Sequence, residues 1–149
     1  GDRVSSTRIR TALAAGDFAL AETLLGRPYA VSGHVTHGDK IGRTLGVPTA
    51  NIPSRRRVSP VRGIFAVTVE GIGAVPVYGA ASVGKRPTVQ GLDERVETHL
   101  LDFTGDIYGK RISVVFRHKL REELKFGSLE ELKTAMAKDI ADARQYFGM

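Results

Sequence analysis

The hydrophobic pattern of this 149-residue chain is that of strands flanked by helices. At the start, Ser5 or Ser6 can cap a helix over 7–15 that Gly16 ends, and Asp17 can cap a second over 18–25 before Gly26 and Pro28. From Tyr29 the apolar period becomes two, which predicts strands over 29–36, 49–52, 63–70, 75–83, 95–103 and 111–117. Turns such as Gly71-Ile72-Gly73 and Thr104-Gly105-Asp106 separate them. The pattern closes on a long helix. Ser128 and Glu131 form a Ser-x-x-Glu capping box, and Leu129, Leu132, Met136, Ile140, Ala143 and Phe147 follow at spacings of three and four. The predicted fold is mainly β: a six-stranded antiparallel barrel, since closure removes exposed edges, with two short N-terminal helices and a long C-terminal helix packed on it as support. Met136 and Phe147 are expected in the core rather than at a site.

Composition narrows the classes. The length suits one domain with a single core and a short appendage. No cysteine is present, which excludes disulfides, thiolate metal sites and cysteine nucleophiles, and four scattered histidines suggest no zinc site. No run is long and apolar enough to span a bilayer, and the polar start does not resemble a signal peptide, so a cytoplasmic location is expected. The net charge of +6 favours anionic partners. One reading is a basic β-barrel that binds nucleic acid without catalysis, with Arg55-Arg56-Arg57 as its densest run. Against it, aromatics are only 7% of the chain, and Phe65, Tyr78, Phe103 and Phe116 each sit within apolar runs, as core residues do.

The richest chemistry lies between Gly33 and Ile52. Gly38, Gly42 and Gly46 allow backbone N–H groups to turn toward an anion, and Lys40 and Arg43 add positive charge beside them. Pro48 precedes Thr49 and Asn51, a hydroxyl and an amide two residues apart that point the same way from an extended backbone, as ligands of a phosphate-bound Mg²⁺ would. A P-loop is excluded, because Gly-Arg-Thr here runs into Leu-Gly-Val-Pro and not into a helix. A solvated glycine-rich loop accounts for the same spacing. On the strand 95–103, Glu97, His99, Leu101 and Phe103 share one face. If that face is interior, Glu97 is an acid near a barrel mouth: either a reacting group or half of an ion pair with Arg86, Arg95 or Arg111.

Pro48-Thr49-Ala50-Asn51, preceded by Gly42-Arg43-Thr44-Leu45-Gly46, resembles the signature of riboflavin kinases. The segment 82–88 resembles that family's Gly-x-Arg-Pro-Thr stretch, 96–100 its Glu-x-His strand, and 120–130 its last block before the closing helix. The resemblance implies transfer of the ATP γ-phosphate to the riboflavin 5′-hydroxyl, giving FMN and ADP. It further implies Glu97 as catalytic base, Thr49 and Asn51 on Mg²⁺ and phosphate, and the loop with Gly38, Lys40, Gly42, Arg43 and Gly46 over the ATP phosphates. Arg121 falls in a loop that would close on the flavin, although pairing with Glu122 or Glu123 is also open to it. The stretch 4–10 resembles the end of the adenylyltransferase module of bacterial bifunctional riboflavin kinase/FAD synthetases. That implies a linker over 1–26 and a kinase domain over 27–149, with no adenylyltransferase activity, membrane or nucleic acid expected. Ala81-Ser82-Val83-Gly84 and Lys85 depart from the family pattern, which leaves Ser82, Lys85 and His99 without assigned roles.

Overall fold

The computed structural model describes residues 6–36, 49–54, 61–88 and 91–149. Two helices, α1 (Ser6–Ala15) and α2 (Phe18–Leu25), lead into strands β1 (Ala30–His34), β2 (Thr49–Ser54), β3 (Gly63–Glu70), β4 (Val77–Thr88), β5 (Gly91–Leu100) and β6 (Arg111–Arg121), and helix α3 (Leu129–Phe147) ends the chain. The strands form one antiparallel sheet in the order β1-β6-β3-β4-β5-β2. Just beyond β1, the Thr36 N–H donates to the Asn51 carbonyl at 2.8 Å, so the first and last strands of that order meet and the sheet curls nearly shut. Gly33 permits the approach, since a Cβ there would lie 2.6 Å from a methyl of Ile52. The expected barrel is thus the one formed.

Its interior holds Ile52, Phe65, Val67, Val69, Val83, Val96, Leu100, Ile112, Val114 and Phe116. The N-terminal helices continue this core. Phe18 meets Phe65 edge-on with ring centres 5.6 Å apart and stacks on Phe116 at 5.8 Å, beside Ala12, Leu13 and Ala21. Asp17 caps α2 by accepting from the Leu20 N–H at 3.1 Å, and Gly26 ends it at φ 79°, a left-handed turn that suits glycine.

A second core lies outside the barrel. Ala66, Ala80 and Leu101 pack with Ala143, Ile140, Leu120 and Phe147, so α3 covers the outer faces of β3 and β4. This is why β3 is buried at seven successive positions and does not alternate. Ser128 accepts from the Glu131 N–H at 3.2 Å as the capping box predicts, while the Glu131 carboxylate reaches the Gly127 N–H at 2.9 Å. Leu129, expected in the buried stripe, is instead exposed at the first turn. At the other end Arg144 makes a two-pronged pair with Asp102, whose φ of 52° is one that aspartate tolerates, and holds that carboxyl below its usual range.

Candidate functional site

Register, more than sequence proximity, builds the site. Asn51 on β2 faces Glu97 on β5, Glu97 faces Ser82 on β4, Ser82 faces Ile64 on β3, and Ile64 faces Arg121 on β6. A parallel row runs through Thr49, His99, Ala80, Ala66 and His118. Residues opposite one another across antiparallel strands share a face, so Thr49, Asn51, Glu97, His99 and Arg121, scattered over 73 positions of sequence (49 to 121, inclusive), stand on one surface. A register shift between Ile64 and Phe65 brings Arg121, and not Leu120, opposite Ile64; the bulge re-aims the last side chain of β6.

That surface is the outer one. Val96 and Leu100 point into the interior, while Glu97 and His99 point away from it. The expectation that Glu97 shares an interior face with Leu101 and Phe103 is therefore corrected: β5 ends at Leu100, and Leu101 belongs to the second core under α3. Glu97 is nonetheless buried, at 6% exposure, because this outer face carries a cover of its own. A cavity of about 230 Å³ opens between the barrel wall and α3. Ser82, Arg95, Glu97, His99, Arg121 and Asp139 give it a polar side; Leu124, Phe126, Leu132 and Met136 give it an apolar one.

Four buried side-chain atoms on this face lack a hydrogen-bond partner among the described residues: Thr49 Oγ1, Asn51 Oδ1, Asn51 Nδ2 and His99 Nε2. Buried polar groups are normally satisfied, so this cluster offers open donors and acceptors to a ligand or to residues outside those described. His99 Nε2 lies 4.0 Å from Glu97 Oε1, and burial lowers the imidazole pKa to about 4 from an ordinary 6.5, which keeps it neutral at pH 7.

Arg121 ends β6 and is not on a loop, as the sequence suggested. Its Nε and one terminal nitrogen donate to the two carboxylate oxygens of Asp139 at 2.7 and 2.8 Å, and its other terminal nitrogen donates to the Glu122 carbonyl at 3.0 Å. The anticipated Glu122 carboxylate pairs with Lys119 instead, at 2.6 Å. Phe126 lies 5.8 Å from the guanidinium carbon. Asp139, only 4% exposed, was not singled out in the sequence, although an acid three residues after Met136 on the apolar stripe is a readable signal. Met136 also lines the cavity, so α3 is wall as well as support. The residues 38–46, with Gly38, Lys40, Gly42, Arg43 and Gly46, lie outside the described residues, as does Arg55-Arg56-Arg57.

A family model for flavokinase, riboflavin kinase, matches residues 25–147. The chain belongs to the riboflavin kinase family. It is 54% identical over 149 residues to the bifunctional riboflavin kinase/FMN adenylyltransferase of Escherichia coli (strain K12), covering 100% of this chain and 48% of that protein. It superposes on a riboflavin kinase from Trypanosoma brucei with a TM-score of 0.54 at 26% identity, over 81% of this chain and 78% of the other. It also superposes with a TM-score of 0.79 at 38% identity on a Streptococcus pneumoniae crystal structure described as a macrolide-efflux protein, over 95% of this chain and 47% of that one. Among the described residues, no helix is long and apolar enough to cross a membrane. The chain spans about half the length of the curated relatives it matches. The family uses ATP with a divalent metal, and the nucleic-acid reading gains no support from it.

Proposed function

We propose that this chain transfers the γ-phosphoryl group of ATP to the ribityl 5′-hydroxyl of riboflavin, releasing FMN and ADP. The observation that carries this reading is the cross-strand pairing of Asn51 with buried Glu97 at the edge of a cavity with one polar and one apolar side. Riboflavin has the same division, an apolar ring system bearing a chain of hydroxyls. In the proposed arrangement Leu124, Phe126, Leu132 and Met136 hold the rings, and the hydroxyl chain runs toward Glu97.

Phosphoryl transfer asks a protein mainly for alignment and charge neutralisation. Thr49 and Asn51 fit a hard cation and phosphate oxygens, because their buried oxygens lack partners among the described residues. Oxygen donors of this kind suit Mg²⁺, which characteristically binds few protein groups and completes its shell with substrate phosphates and water. When bound, Mg²⁺ supplies charge neutralisation at the phosphates. The 38–46 loop, with Lys40 and Arg43, covers the same phosphates. Glu97 accepts the proton of the attacking hydroxyl as its oxygen bonds to phosphorus and the bond to the ADP oxygen breaks. Arg121 forms a wall of the flavin slot, held by Asp139.

By analogy with the bifunctional relatives, residues 27–149 act as the kinase unit and 1–26 as the tail of an adenylyltransferase module, in the cytoplasm. Adenylyltransferase activity is not expected of this chain alone. Incubation with riboflavin, ATP and Mg²⁺, followed by chromatography, tests the reading. FMN is the expected product, and its absence with folded protein overturns the proposal. Salt-dependent binding to an oligonucleotide in its place favours the nucleic-acid reading.

A further inference from the structure

His99 has no place in the reaction as described so far, yet its environment is unusual. Its side chain is 7% exposed, its Nε2 has no hydrogen-bond partner among the described residues, and it shares the cavity wall with Glu97. A buried ring nitrogen left unpaired costs stability, and the fold could have placed an apolar residue there, as it does with Ala80 and Ala66 in the same row. Glu97 Oε1 lies 4.0 Å from Nε2, too far for a hydrogen bond but a gap that a side-chain rotation can close. Catalytic hydrogen bonds are often long before substrate binds and tighten afterwards.

We propose that His99 is a positioning residue: when the cavity fills, its Nε2–H closes onto one carboxylate oxygen of Glu97 and leaves the other oxygen aimed at the substrate hydroxyl. The proposal rests on Glu97 being the base. The strand itself sets the arrangement, since residues two apart on β5 necessarily share a face.

The test compares three variants of the full chain under steady-state turnover with riboflavin and MgATP. His99→Gln places an amide N–H where Nε2 stands; His99→Asn is too short to reach; His99→Leu fills the space without a donor. Expected values are kcat within a few-fold of wild type for Gln, and a loss of about 10²-fold for Asn and Leu, the scale of a misplaced reacting group. KM for both substrates should stay within about threefold. Combining His99→Asn with Glu97→Gln should bring no further loss, because two residues acting through one group are not additive. Equal turnover of folded Gln and Asn variants overturns the positioning role, and so does a full additive loss in the double variant. Wild-type turnover of Glu97→Gln alone overturns the base assignment itself, a distinguishable result.

Discussion

At the residue scale, Glu97 carries the sharpest expectation. Glu97→Gln preserves shape and removes the proton acceptor, so kcat should fall about 10²- to 10⁴-fold with ATP affinity unchanged. Single-turnover kinetics alongside nucleotide titration would separate the two quantities. Thr49→Ala and Asn51→Ala remove atoms that have no partner among the described residues, so they should weaken MgATP binding while costing little folding stability. Calorimetry showing unchanged MgATP affinity in both would place the phosphate site elsewhere. His99 adds a pH dependence to the ligand-free protein. Its folded pKa of about 4 lies below the ordinary 6.5, so between these values the unfolded chain binds a proton that the folded one refuses. Stability is therefore full above about pH 6.5 and declines toward pH 4, by at most roughly 3 kcal/mol. Urea midpoints at pH 5 and 7.5 should differ less in His99→Gln than in wild type.

At the scale of elements, the Arg121–Asp139 pair fastens α3 to the end of β6. Asp139→Asn leaves the guanidinium without its counter-charge, and breaking such a pair from one side costs roughly 3 kcal/mol. The melting temperature should drop by roughly 6–12 °C. Riboflavin KM should rise more than ATP KM, since the cavity wall loosens while the β2 strand does not. Equal effects on both substrates would mean that the pair serves folding alone. Some elements were plain in the sequence. The bounds of α2 and β3 follow directly from Asp17, Gly26 and the Gly63 to Glu70 run, because caps and turns act locally. The facing of β5 did not follow. Alternation tells two faces apart only when one meets water, and here the outer face of β5 lines a cavity whose far side is built by α3, which packs on the neighbouring strands. The length of β6 and the aim of Arg121 depend on a bulge that no local residue announces. Thr49, Asn51 and Glu97 were identifiable by resemblance, but their adjacency is a product of the β2–β5 register.

On the scale of the whole molecule, the cavity of about 230 Å³ falls short of the ~300–1,000 Å³ usual for organic ligands. Glu123, Leu124 and Phe126, in the connection between β6 and α3, supply its outer rim. A Cβ at Gly84 would collide with the Glu123 carboxylate, so the connection lies directly on β4. On the proposed reading, flavin entry displaces it. Hydrogen exchange should show residues 122–128 gaining protection with riboflavin and residues 38–46 with MgATP, and both together should exceed either alone. Equal protection in the free protein would mean a preformed site.

The outward facing of Glu97 and His99 has a consequence for how this protein can vary. On β5, Arg95, Glu97 and His99 face the cavity while Val96 and Leu100 face the interior, with one backbone between them. Val96 and Leu100 can be repacked for greater robustness without touching a reacting atom, and the outer row can be retuned without hollowing the barrel. On the proposed assignment, durability and turnover, which compete in enzymes whose active sites are cut into their own cores, are inscribed on opposite sides of the same strand and can be adjusted one at a time.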